Sequence, residues 1–161
     1  LTGLVFLLRK GIGGIAYQDV RGISHRGYFA SITDFKSYHD ANMDLIDYKT
    51  ATDLFHDNWP IYTRTNNSCP THYFDTANVS NSVISNGSMI EGTVENSIVG
   101  RGCTIKKGAV IKNCVVLADC TIGENVHIEN LVVDKHAKIT HAKEIISPAD
   151  EPGYIKRNDT L

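Results

Sequence analysis

The second half of the chain carries bulky aliphatic residues at a fixed stride. Val99, Ile105, Ile111, Val116, Ile122, Ile128, Val133 and Ile139 follow one another at steps of 6, 6 and 5, so three steps close a unit of 17 residues. Two positions before each stands a small or modest side chain: Ser97, Cys103, Ala109, Cys114, Cys120, Val126, Leu131 and Ala137. Alternate residues of a strand share a face, so each pair predicts a short strand with one bulky and one small side chain turned inward. Overlaid on this stride is the phrase V-x-N-x-V/I-I/V, starting at Val79, Val94, Ile111 and Ile128 and carrying Asn81, Asn96, Asn113 and Asn130 at its third position. The last three copies lie 17 residues apart and the first interval is 15. That period is too short for ankyrin or tetratricopeptide units and is not a heptad. A unit this small cannot bury its apolar face alone, so coils must stack ~4.8 Å apart and place equivalent residues in columns. The Asn column is expected to mark turn corners, because Asn tolerates left-handed backbone and its amide can bond its neighbours along the stack.

Residues 1–65 follow a different grammar. Phe35, Tyr38, Leu45 and Ile46 share one helical face, which predicts a helix over roughly 34–46, with Thr33 or Asp34 as its N-cap. Trp59-Pro60-Ile61-Tyr62-Thr63 reads as extended, since Pro60 blocks helix on both sides of itself. Asn66 to Thr71 is a polar linker with turn chemistry. Gly11-Ile12-Gly13-Gly14 lacks the Gly-Lys-Ser/Thr ending of a phosphate loop and is read as a turn.

With 161 residues, 42% apolar and 21% charged, the composition is that of a soluble globular protein. A net charge of −2 without a basic run argues against nucleic acid as a partner. No apolar stretch reaches the ~20 residues that span a bilayer, so no membrane is expected either. The chain begins at Leu1 and not at Met, which suggests a piece of a longer protein. Four cysteines without a C-x-x-C pair are read as reduced thiols of a cytoplasmic protein. Cys103 and Cys120 stand one coil apart, at a separation that suits a disulfide, but both fill the small inward position that Ala137 fills next. The seven histidines form no H-x-H or H-E-x-x-H arrangement, so no metal site is expected.

The six-residue phrasing resembles the hexapeptide repeats of left-handed parallel β-helices. That resemblance implies a mainly β fold, a triangular prism of about four coils. The run from Gly27 to Leu45, with Ala41-Asn42-Met43-Asp44-Leu45 as its most particular stretch, resembles the end of the nucleotidyltransferase domain of bacterial glucose-1-phosphate adenylyltransferases. Residues 59–63, 90–95 and 108–113 extend the resemblance. It implies three parts: a nucleotidyltransferase remnant over 1–50 ending in a linking helix, an extended linker over 51–75, and the β-helix over 76–161. In catalytic members, an Asp shortly after the Gly-Tyr pair resembles the Mg²⁺-binding carboxylate of other sugar nucleotidyltransferases, and Mg²⁺ favours such oxygen ligands. Here Ser31 stands at that position, Thr33 replaces the following Gly, and Asp34 lies three residues further on.

This version resembles the second, non-catalytic type of subunit in the family, GlgD. The resemblance therefore implies no catalytic residue and no cofactor in this chain, although Mg²⁺ serves the family's reaction. It also implies the catalytic subunit as partner, self-association through the β-helix, and response to a phosphorylated effector whose residues it does not locate. The alternative is a hexapeptide acyltransferase, a class that uses a His as general base. His127, His136 and His141 are the candidates, but His127 is read as outward-facing and no long loop interrupts the coils to shape an acyl-donor tunnel.

Overall fold

A computed structural model of the protein describes residues 27–55, 60–62 and 67–161. From His72 onward the chain winds as a parallel β-solenoid with three faces. Its strands are β1 (His72–Tyr73), β2 (Asn78–Ser80), β3 (Val83–Ile84), β4 (Met89–Ile90), β5 (Thr93–Glu95), β6 (Ile98–Val99), β7 (Thr104–Ile105) and β8 (Val110–Lys112). There follow β9 (Val115–Val116), β10 (Thr121–Ile122), β11 (His127–Glu129), β12 (Leu131–Val133), β13 (Lys138–Ile139), β14 (Glu144–Ile146) and β15 (Gly153–Ile155). Every third strand pairs, giving the sheets β1-β4-β7-β10-β13, β14-β11-β8-β5-β2 and β15-β12-β9-β6-β3. The passage from β1 to β13 makes the four turns that the repeat implies.

The inward columns are those of the stride. Ile90, Ile105, Ile122 and Ile139 line one face, Val94, Ile111 and Ile128 the second, and Val99, Val116 and Val133 the third, all fully buried. Each such side chain contributes about 1.5–3 kcal/mol by leaving water. All eight small or modest partners, Ser97 through Ala137, are buried beside them. The Asn corners also form as expected. Asn81, Asn96, Asn113 and Asn130 hold φ of 42°, 43°, 48° and 55°. Their amides make a ladder in which Asn81 Nδ2 donates to Asn96 Oδ1 (2.7 Å), Asn96 to Asn113 (2.6 Å), Asn113 to Asn130 (3.3 Å), and Asn130 to the Ser147 carbonyl (2.7 Å).

The 15-residue first interval has a local cause. Ile90 to Thr93 turns with two intervening residues where Ile105 to Val110 uses four. Gly92 occupies this cut corner, and a Cβ there would come 2.5 Å from the Ala109 carbonyl oxygen and 2.8 Å from that of Lys106. At the other end, Val133 pairs with Ile155, 22 residues on, because the segment between β14 and β15 is longer. The last residues then close the edge of β13: Leu161 N donates to Lys138 O (2.9 Å), while Leu161 O accepts from Thr140 N (2.6 Å) and His141 N (2.7 Å).

Among the described residues, two α-helices precede the solenoid. The expected helix is present as α1 (Phe35–Met43) followed by a 3₁₀ turn over Asp44–Ile46. Asp34 is the cap: its carboxylate accepts from Ser37 N at 2.7 Å while Ser37 Oγ accepts from Asp34 N at 3.0 Å. A second helix, α2 (Tyr48–Leu54), was not anticipated and starts at Asp47, which accepts from Thr50 N and Thr50 Oγ1, both at 2.9 Å. Pro60, Ile61 and Tyr62 lie outside helix and strand, whereas Trp59, Thr63, Asn66 and Gly11 to Gly14 fall outside the described residues.

Candidate functional site

The fifth position of the repeated phrase builds a feature that its inward residues do not. Val83, Ile98, Val115 and Val132 stack in register on one outer face of the solenoid, opposite in direction to Ile84, Val99, Val116 and Val133. An outward aliphatic stripe should be wet, and Val83 is 42% exposed. Val115 and Val132 are nonetheless buried, and α1 packs against β9, the strand that carries Val115. The linking helix is thus seated on the middle of the stripe.

His39 fixes that seat. It is nine-tenths buried on α1, and its Nε2 lies 2.9 Å from the carbonyl oxygen of Asn113, a residue of the Asn ladder. A carbonyl only accepts, so Nε2 carries the proton here. Its Nδ1 faces Asp40 Oδ1 at 3.4 Å, and Asp40 is held below the usual carboxylate range chiefly by the Lys36 ammonium at 2.6 Å. At the N-terminal end of α1, Phe35 meets Tyr154 of β15 edge to face, with centroids 5.5 Å apart and rings inclined by 73°.

Beside this contact opens a cleft of about 550 Å³ lined by Phe35, Tyr38, Leu117, Val132, Asp134 and Tyr154. The Tyr154 hydroxyl donates to Asp134 Oδ2 at 2.7 Å, and Lys135 N donates to Asp134 Oδ1 at 2.7 Å. The Tyr154 bond, foremost, keeps the Asp134 carboxyl below its ordinary range, and the same bond raises the Tyr154 phenol. A second, smaller apolar hollow is lined in part by Phe29, Ile32, Leu45 and Leu54.

The residues singled out from sequence fall in separate places. Ser31 is exposed in the irregular run before α1. Asp34, three residues on, is engaged in capping, and its hydrogen bonds from Ser37 hold its carboxyl below the usual range. His127 lies between Glu144 (Nδ1 to Oε1, 3.3 Å) and Glu129 (Nε2 to Oε2, 3.7 Å), whereas His136 faces Asp119 at 3.7 Å on a different corner. Nothing brings these histidines together. All four cysteines are free thiols; Cys69 is exposed, while Cys103, Cys114 and Cys120 are buried. The Cys103 thiol is pushed up by its contact with the Cys120 thiol and by burial, and burial pushes Cys114 up to about 12. Neither Cys103 nor Cys114 is an activated nucleophile. Among the described residues, no group of three or more His, Cys, Asp or Glu side chains could hold a metal ion. Nor is any described helix long and apolar enough to cross a membrane.

Sequence reading passed over His39, Tyr154 and the outward stripe. The signal for the stripe was present: the phrase specifies an aliphatic residue at both its fifth and sixth positions, and only one of two neighbours can face inward.

Comparison with known proteins agrees with this architecture. A family model described as "GlmU-like, C-terminal hexapeptide" matches residues 70–151. The glucose-1-phosphate adenylyltransferase of Geobacillus stearothermophilus is 42% identical over 86 residues, covering 53% of this chain and 22% of that protein. The glycogen biosynthesis protein GlgD of Bacillus subtilis (strain 168) is 38% identical over 133 residues, covering 83% of this chain and 39% of that one. A glucose-1-phosphate adenylyltransferase of Bacillus mycoides (strain KBAB4) is 36% identical over 107 residues, 66% of this chain and 28% of its own length. The chain therefore spans well under half the length of these curated relatives.

Proposed function

The chain belongs to the GlmU-like, C-terminal hexapeptide family, and from that premise we propose that it is the C-terminal portion of a regulatory, non-catalytic subunit of glucose-1-phosphate adenylyltransferase. In this reading it acts in the cytoplasm in ADP-glucose and glycogen synthesis, where its solenoid serves assembly with the catalytic subunit and with itself, and its response to a phosphorylated effector. The observation that carries the reading is the 133-residue similarity to GlgD, which takes in most of this chain. Ser31 supports it: a neutral hydroxyl at the position where the family resemblance puts a metal-binding Asp cannot supply that charge. Asp34 is no ready substitute, because its carboxylate is already committed to the N-terminus of α1. The seat of α1 on the solenoid offers a physical route for regulation, since any ligand that shifts the helix must also act on the His39–Asn113 bond.

The test is co-expression of the full-length protein with a catalytic glucose-1-phosphate adenylyltransferase subunit. Co-purification with a changed apparent substrate affinity or activation is the expected result. Robust pyrophosphate release by the full-length protein alone, from ATP, Mg²⁺ and glucose 1-phosphate, and abolished by Asp34→Ala, would overturn the non-catalytic assignment. Release of free thiol from acetyl-CoA in the presence of candidate amines, dependent on His127 or His136, would favour the acyltransferase reading instead.

A further inference from the structure

We propose that the cleft between α1 and the third solenoid face is a binding site for a neutral pyranose ring, with Phe35, Tyr38 and Tyr154 as stacking surfaces and Asp134 as the hydroxyl acceptor. Its volume of about 550 Å³ lies within the range of small-ligand sites. The lining is apolar apart from the Asp134 carboxylate and the two tyrosine hydroxyls, and this narrows the chemistry. Leu117 and Val132 form an aliphatic floor. Phe35 and Tyr154 meet at 73°, so the cleft presents aromatic faces in two directions rather than a single flat slot. A pyranose matches such a lining because one face of the ring is made of C–H groups and its rim of hydroxyls. The C–H face packs on an aromatic ring, and the rim needs an acceptor.

Asp134 is that acceptor. Each carboxylate oxygen already takes one hydrogen bond, Oδ2 from Tyr154 and Oδ1 from Lys135 N, which orients the group. Two oxygens with about four lone-pair sites leave capacity for sugar hydroxyls. The same carboxylate disfavours a phosphate placed directly against it, since two negative charges in contact repel. A cationic ligand is disfavoured because Lys135 and Arg157 already act favourably on the Asp134 charge. A neutral, hydroxyl-bearing ring is what remains.

Saturation-transfer NMR on this chain with maltotriose as the probe tests the proposal, with choline and inorganic phosphate as parallel arms. Saturation transfer to the sugar C–H protons is expected, with none to choline and no phosphate binding in ³¹P spectra. Tyr154→Ala should weaken maltotriose about tenfold, the scale of one aromatic contact. Asp134→Asn should weaken it less, by several-fold. Tyr154→Phe keeps the ring and the Phe35 contact but loses the bond that orients Asp134, so it should weaken maltotriose less than Tyr154→Ala does and guards against a folding artefact in the alanine variant. No transfer to maltotriose, or transfer unchanged by Tyr154→Ala and Asp134→Asn, overturns the proposal, as does choline or phosphate binding in its place. These results are independent of co-purification with a catalytic subunit, so the two readings can fail separately.

Discussion

The solenoid and the helical segment use the same kinds of apolar residue to opposite ends. In the solenoid, Ile105, Ile111, Ile122 and Ile128 are fully enclosed. In the helical segment and the run before it, Phe29 is 72% exposed, Ile32 57%, Tyr48 82% and Phe55 57%. Repetition explains the difference. A coil stacked between two identical coils always finds its apolar face covered, whereas a short helix is covered only where it happens to meet a partner. For α1 that meeting is the stripe at Val115 and Val132. Among the described residues, the rest of the helical surface joins no core, and its exposed apolar residues contribute little there.

This contrast can be broken at several points, and the largest effect should come from the enclosed columns. Ile122→Ala should destabilise the solenoid by about 2–5 kcal/mol in urea denaturation, through lost burial plus a cavity. The matched change Ile32→Ala, at an exposed site, should stay within about 0.5 kcal/mol. Equal effects at the two sites would erase the distinction. Val115→Asp sharpens it from the other side, since this outward residue lies on the strand that α1 packs against. A loss of about 3 kcal/mol or less is expected, because the helix can lift away and let water reach the carboxylate. Hydrogen exchange should then show α1 opened while β9 stays protected. His39→Ala leaves the Asn113 carbonyl without its partner and should cost about 1–3 kcal/mol of helix seating. It should increase exchange along α1 without changing protection in the inward columns.

The smallest effects lie at the two ends of the pH scale. Asp34 has a lowered folded-state pKa from its Ser37 hydrogen bonds, so its contribution is present above the usual carboxylate pKa and is lost as pH falls through the lowered value. Acidification below the usual carboxylate range should therefore fray α1, read by loss of helical circular dichroism. Cys114 shifts the other way. Its contribution is complete below the ordinary thiol value of 9.0 and is lost as pH rises toward about 12, so alkali should weaken the solenoid first. Cys114→Ala should flatten that alkaline slope. At neutral pH, a thiol reagent should label Cys69 alone of the four cysteines in the folded chain.

What could be read from sequence tracks how local its cause is. The inward columns, the Asn corners and the α1 cap each depend on residues a few positions apart or on the repeat itself, and all were legible. The last coil was not. Its longer link between Ile146 and Gly153 breaks the 17-residue stride, and Gly153-Tyr154-Ile155 carries no Asn phrase. The closing of β13 by Leu161 joins positions 23 apart through backbone atoms, which leave no side-chain pattern to find. The cleft was illegible for the same reason. Tyr154 and Phe35 lie at opposite ends of the described chain, and only the docking of α1 on the stripe brings their rings together.

The Asn ladder sets a rule of inheritance for this architecture. Every amide hands its N–H to the next coil, from Asn81 down to the Ser147 carbonyl. A whole coil can be gained or lost and each bond re-forms with a new neighbour. A single residue gained or lost within a coil, unless a corner absorbs it, throws all later amides out of line. Tolerated length changes should therefore gather where the ladder is not interrupted. The two in this chain do so: the cut corner at Gly92 lies away from the Asn column, and the long link before Gly153 begins just as the ladder ends.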